Sequence, residues 1–473
     1  VGSQGDVVAA EDVLLFVNAA ITATGQREFH SDGERQRLSL DFLHEYMLVN
    51  YRDLYAATLA LGINHHNTAL IARRLLETAA DAGSAERRRA EGRLIGRALR
   101  ALPPQRVYRL FAALRAAGVN NRRTRAIVRD WLAARPDLAF DAVKYRGQLR
   151  AAARHAHLRL DGDGELGAFL FAPHDRRTFA TPLFETWRRA HYDRSQVFEL
   201  PYTVAEGLAA RHGMDRAAFL AGIEPRMTRL EKLRLRETTG DRDQATLAGA
   251  SLTRVAGYAL SLPLAERSAR RGELTDALRA AAARTAGRRA GAWGRTVAVL
   301  DDSYSAHGSG EKRRRPLAVA LAAHFLLEAL AGDGYTGLWT SGRTDSLLSR
   351  PLGPTPLGER ILDALELAPE RLLIVSDGWD NAPVGLAAEV LRVWSARFDP
   401  AGRVEIVHLN PVYDADDFAV RALAPSVPTV GVRDAEDLPA LVELARFAHG
   451  RTELAALRAH LAARVADFIG EDA

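Results

Sequence analysis

Thr296 to Ser305 reads T-V-A-V-L-D-D-S-Y-S, and this stretch decides the fold of the C-terminal half of the chain. Thr296–Leu300 is a continuous, largely apolar run that ends in a cluster of acids and hydroxyls. A central strand of a parallel sheet is covered on both faces, so it reads as an unbroken apolar run and presents polar side chains at its C-terminal end. Asp301, Ser303 and Ser305 follow in D-x-S-x-S spacing, a set of hard oxygen donors of the kind that Mg²⁺ or Mn²⁺ prefers. A strand ending in Asp and Ser also suits an ordinary turn, so the reading depends on what the rest of the chain supplies.

Downstream, apolar runs at 336–339, 372–375, 404–409 and 429–432 alternate with helical segments near 316–331, 357–367, 384–398, 438–448 and 453–469. Such alternation predicts a doubly wound α/β domain with a parallel sheet and helices on both faces. Ligands in such sheets bind at the C-terminal strand ends, where Asp301 falls. The stretch Gly353-Pro354-Thr355-Pro356-Leu357-Gly358-Glu359 opens a helix, with Thr355 expected at the N-cap and Pro356 at the first helical position. Leu372-Leu373-Ile374-Val375-Ser376-Asp377-Gly378 is a second buried strand ending in Asp-Gly. Thr344, in G-R-T-D, competes with Thr355 but lies 33 residues before Asp377 rather than 22, and no helix follows it directly. Asp302 is expected to add a carboxylate near any bound cation.

Upstream, the pattern is helical from Leu14 to about Arg289, while the opening ten residues lack periodicity and are expected to lie loose or to pack as a short arm. Residues 41–61 and 140–155 each read as one amphipathic helix, and further short helices are separated by Gly62, Gly83, Pro103-Pro104, Gly118, Pro136, Pro173, Pro201 and Gly213. A dozen short helices joined by tight turns predict stacked helical pairs, an α-solenoid of HEAT-like type, although no sequence repeat marks it. The expected fold is therefore multidomain, with a helical domain at 1–290 and an α/β domain at 295–473.

Composition bounds the function. The 473 residues suffice for two or three domains, and the absence of Cys excludes disulfides and thiolate metal sites. No run of bilayer length stands out and the start shows no signal-peptide pattern, so a soluble, cytoplasmic protein is expected. Residues 1–294 carry a net charge of +13 and residues 295–473 one of −8, which also supports a boundary near Gly291–Gly294.

The steepest local charge lies between Arg87 and Arg159, with 19 basic residues against four acids. Arg122, Arg125 and Arg129 share one helical face, with Arg123 beside them. Lys144, Arg146, Arg150, Arg154, His155 and His157 cluster around Tyr145. Clustered Arg beside an aromatic ring suits phosphate contacts and base stacking, more for single-stranded or structured RNA than for reading a DNA groove. A solvated Arg-rich face paired with acidic helices fits the same charge count.

In chain order the C-terminal half supplies D-x-S-x-S, then G-x-T-P-L, then a strand ending in S-D-G. This resembles the von Willebrand factor A family, whose metal-ion-dependent adhesion site uses those three elements on adjacent loops. The resemblance implies that Asp301, Ser303, Ser305, Thr355 and Asp377 hold a divalent cation, Mg²⁺ or else Mn²⁺ or Ca²⁺. It implies that the hydroxyls ligate directly and the aspartates largely through water, with one position open for an acidic residue of a protein partner. Ala306 stands where that family usually has Met. Residues 122–158 (R-x-I-V-R-D-W-L, L-A-F-D-A-V-K-Y-R, R-H-A-H-L) and 200–230 resemble the TROVE module of the Ro autoantigen family. That family pairs a ring of HEAT-like helices with a C-terminal von Willebrand A domain. The resemblance implies binding of small non-coding or misfolded RNA, single-stranded or structured and Y RNA-like, with no role for DNA or membrane.

Other candidates carry less. His65-His66 lacks ligand spacing and reads as a polar turn or cap. Gly308-x-Gly310-Glu311-Lys312 lacks the full phosphate-loop pattern. No nucleophile–His–acid set and no carboxylate cluster for two metals is traceable, so a non-enzymatic protein is expected. The alternative to an RNA binder is an RNA-independent von Willebrand A-type adaptor, for example for an AAA-type ATPase.

Overall fold

The computed structural model describes residues 4–160, 164–228, 231–232, 247, 249–445, 447 and 454–470. The chain is mostly helical, with a parallel five-stranded sheet in its C-terminal half. It divides into two compact units, one comprising residues 1–67 and 247–467 and the other residues 68–246 and 468–473. The sheet begins at Thr296, where the period of the sequence changes, but the unit that holds it also takes in the first 67 residues and residues 247–290. Contacts of the N-terminal helices, rather than the change of period, set that division.

The strands are β1 (Thr296–Leu300), β2 (Tyr335–Trp339), β3 (Arg371–Val375), β4 (Glu405–Asn410), β5 (Tyr413–Asp414), β6 (Ala419–Val420) and β7 (Thr429–Gly431). The main sheet runs β2-β1-β3-β4-β7 with every neighbour parallel, while β5 and β6 form a separate antiparallel pair. Successive residues of a strand face opposite sides. Val297, Val299, Leu372 and Ile374 pack into one core with Leu357, Ile361, Ala387 and Leu391. Helix Arg315–Ala331 also packs on β1, β2 and β3. Because β2 lies on one side of β1 and β3 on the other, the direction of winding reverses there. The ends of β1 and β3 are thus the switch point at which a crevice opens.

Helix Arg315–Ala331, extended to Gly334, is the one described segment long and apolar enough by length and composition to cross a membrane, contrary to the sequence expectation. Most of its surface is buried against the sheet and neighbouring helices, which accounts for its apolar composition.

From Gln4 on, the opening residues are helical rather than loose, since Gln4–Thr22 is a helix. Its core residues Val13, Phe16, Val17, Ala20 and Ile21 are fully or almost fully buried, and a helix covered on most sides shows little amphipathic period. This helix covers the sheet edge. Asn18 Nδ2 donates to the Thr429 carbonyl (3.4 Å), and Gly431 N donates to Asn18 Oδ1 (3.0 Å), so one amide pairs backbone groups that an edge strand would otherwise leave open. Gly431 permits the approach, because a Cβ there would sit 2.8 Å from the Asn18 carbonyl oxygen. Gly431→Ala is expected to cost about 1–3 kcal/mol by overpacking and to lower Tm by several degrees, measured by calorimetry.

In the second unit, helix Ala85–Ala101 packs against Arg122–Ala133, and Pro104–Ala116 against Arg146–His155. Tyr108, Phe111 and Trp131 meet edge to face, and the Trp131 indole donates to the Leu99 carbonyl at 3.0 Å. The helix expected over 140–155 breaks at Tyr145 (φ −120°, ψ 32°), whose ring packs 5.3 Å from that of Tyr108. The helix expected over 41–61 similarly breaks at Tyr51, after Gly33–Asn50. Residues 229–230 and 233–246, part of the helical reading and of the TROVE-like stretch, lie outside the described residues.

Candidate functional site

Three loops converge at the switch point, and backbone hydrogen bonds tie them together. Asp301 N donates to the Val375 carbonyl (3.0 Å), joining the first loop to the third. Tyr304 N donates to the Gly353 carbonyl and Leu352 N to that of Asp302, each at 3.0 Å, joining the first to the second. Thr355 N donates to Asn381 Oδ1 (2.8 Å), joining the second to the third. The five residues assigned to a cation from the sequence, Asp301, Ser303, Ser305, Thr355 and Asp377, all lie on these loops, and Asp301, Ser303, Thr355 and Asp377 are buried.

Each aspartate uses one oxygen in its own turn. Asp301 Oδ1 accepts from Ser303 N (2.9 Å) and Thr340 Oγ1 (3.3 Å), and Asp377 Oδ1 accepts from Trp379 N (3.1 Å). The Ser303 and Ser305 hydroxyls stand 3.3 Å apart. Burial, and then the neighbouring Asp377 carboxylate, push the Asp301 carboxyl up to about 7, against hydrogen bonds from Ser303 that hold it down. Two buried carboxylates that repel each other beside a pair of hydroxyls have the chemistry of a cation site. Among the described residues no three His, Asp or Glu side chains are placed to hold a metal by themselves. A hard divalent cation would therefore need the hydroxyls of Ser303, Ser305 and Thr355 as well as the aspartates, which suits Mg²⁺ or Mn²⁺.

Three details differ from the sequence reading. Thr355 is not an N-cap: the helix starts at Leu357, Pro356 occupies the cap, and the Asp380 carboxylate accepts from the Leu357 and Gly358 amides instead. Thr355 is buried in the loop, whereas the competing Thr344 is exposed. Asp302 does lie near Asp301, sharing the Thr340 hydroxyl with it and adding to the repulsion that raises its carboxyl, but its own partners are elsewhere. It faces the β2 end, where it accepts from Thr340 Oγ1 (3.0 Å), Ser341 N (3.0 Å) and Oγ (2.8 Å), and Arg343 Nε (3.1 Å). Thr340, which touches both Asp301 and Asp302, was not among the sequence candidates; a threonine directly after an apolar strand was its only signal.

The basic residues of the second unit fall into two groups. Arg122, Arg125 and Arg129 line a groove of about 660 Å³ together with His157, Arg159, Leu132 and Leu149. Arg150 and Arg154 are exposed as well, with Arg154 5.1 Å over the Phe171 ring. The others have structural partners. Arg123 pairs with buried Glu91 (3.2 Å), and Lys144 with Glu231 (3.4 Å). Arg146 donates to the carbonyls of Phe169 (3.1 Å) and Leu170 (3.3 Å), and His155 Nε2 meets that of Val119 at 2.9 Å. His157 Nε2 contacts Asn120 Nδ2 at 3.3 Å. Burial depresses the Arg146 guanidinium, with Arg150 adding to the effect. The local charge run therefore divides between a polar framework and an accessible basic groove.

No family model matches the chain, and comparison with curated proteins finds none that matches it.

Proposed function

We propose that this chain is a Ro-like RNA-binding protein that docks a protein partner through a divalent cation. Asp301, Ser303, Ser305, Thr355 and Asp377 hold the cation, and the basic groove at Arg122, Arg125 and Arg129 holds small single-stranded or structured RNA. The observation that carries the reading is the pair of repelling buried carboxylates, Asp301 and Asp377, set among hydroxyls at the sheet's switch point. A cation bound there neutralises the carboxylates and, with few charged ligands of its own, keeps enough charge to attract a partner's carboxylate. The fold reading extends to a von Willebrand A-type domain and a HEAT-like helical region, supported by the order of the three loop motifs and by the paired helices.

A second reading is an adaptor whose helical region is only a scaffold. It is favoured by the engagement of Arg123, Lys144, Arg146 and His155 in structural contacts. Purification of the intact chain at low salt, followed by extraction and sequencing of bound nucleic acid, separates the two. RNA is expected, with affinity that falls steeply as salt rises. No copurifying RNA and no binding of test RNA at low salt would leave the adaptor.

A further inference from the structure

The connection between helices Gln4–Thr22 and Gly33–Asn50 crosses the loops just described, held by contacts that make it part of the unit. Ser309 Oγ donates to the Arg27 carbonyl (2.6 Å), and Arg27 N donates to Glu311 Oε2 (3.1 Å). Lys312 forms an ion pair with Glu28, and both side chains are almost wholly buried. The phosphate-loop look of Gly308–Lys312 is thereby accounted for, since its lysine is committed to Glu28. Beyond this anchor, Phe29 packs edge-on to Tyr304 at 5.9 Å, and the His30 ring lies 4.8 Å from that of Trp379. Tyr304 sits between Ser303 and Ser305, and Trp379 follows Asp377 by two residues. His30 thus touches the third loop through Trp379, while its neighbour Phe29 touches the first through Tyr304.

His30 Nε2 stands 3.7 Å from Asp377 Oδ2. That is too long for a hydrogen bond. It is, however, within the roughly 3–4 Å that separates two donors each about 2.1 Å from one cation. Asp377 Oδ1 is occupied by its own turn, so the oxygen facing the imidazole is the one available to a metal.

We propose that His30 is a ligand of the cation, supplied by the N-terminal segment and filling the position a partner's carboxylate would otherwise take. The proposal rests on the cation-site reading above. An imidazole among oxygen donors shifts preference from Mg²⁺ toward borderline metals such as Co²⁺ and Zn²⁺. A partner then gains access only by displacing His30 from the metal.

Calorimetric titration of the intact chain with Co²⁺ and with Mg²⁺, for wild type, His30→Ala and Asp377→Asn, tests this. Wild type is expected to prefer Co²⁺. His30→Ala should weaken Co²⁺ binding about tenfold or more while changing Mg²⁺ affinity less than about threefold. In wild type labelled with ¹⁵N-histidine, Co²⁺ should strongly shift one imidazole whose signal is absent from His30→Ala; this readout needs no comparison of stability. Unchanged Co²⁺ affinity in His30→Ala, with binding lost in Asp377→Asn, would overturn the role of His30 and leave the cation site standing. Failure of wild type to bind either metal would overturn both.

Discussion

Asp377→Asn is expected to abolish divalent-cation binding and, in the absence of metal, to raise the melting temperature. The asparagine carbonyl can still accept the Trp379 amide, so the turn is retained. What disappears is the charge that, after burial, does most to hold the Asp301 carboxyl near 7. The sign follows from linkage. A carboxyl whose folded pKa is raised from 3.8 to about 7 contributes its full stability below about pH 4 and loses it as pH rises toward 7. Metal-free wild type should therefore lose stability over that range, and the variant should lose less. Removing the repulsion is worth about 1–2 kcal/mol, or a few degrees in Tm. Conversely, a cation at 100 times its Kd stabilises wild type by about 2.7 kcal/mol and leaves the variant unchanged. Scanning calorimetry at pH 5 and pH 8, with and without Mg²⁺, checks all four values; a metal-free variant less stable than wild type at pH 8 would contradict the account.

Charge reversal of Arg122, Arg125 and Arg129 together is the second large effect. All three are exposed, and among the described residues Arg129 alone of them has an ion pair, with its exposed neighbour Asp130, so their replacement removes little from the fold. If each neutralises one phosphate, the slope of log affinity against log salt should flatten by about 2 for single-stranded RNA. Affinity near physiological salt should fall by at least about 10²-fold, read by fluorescence anisotropy. Arg123→Ala provides the contrast. It removes the Arg123–Glu91 ion pair and should be seen as a lowered denaturant midpoint rather than as a specific loss of RNA affinity. An RNA loss confined to Arg123→Ala would place the interface elsewhere.

The contrast between these variants marks how far the sequence could be read. β1 and β3 were legible because strands buried on both faces leave continuous apolar runs, and Asp301 and Asp377 because strand ends carry the first polar residues. Helix Gln4–Thr22 was not, since burial on most of its surface removes the period that identifies an amphipathic helix. His30 carried no local signal: its place depends on a buried Glu28–Lys312 pair that joins residues far apart in sequence. Asp301 and Asp302 look alike in sequence and share the Thr340 hydroxyl, yet only Asp302 meets an arginine. Along 122–157, residue type gave the charge but not its use, because whether an arginine meets solvent or Glu91 is settled by packing between helices.

The most direct test of the cation site is the stoichiometry of Mn²⁺ binding, followed by electron paramagnetic resonance on wild type and Asp377→Asn. One ion per chain in wild type and none in the variant is the predicted result. Equal binding by both, or none by either, would contradict it.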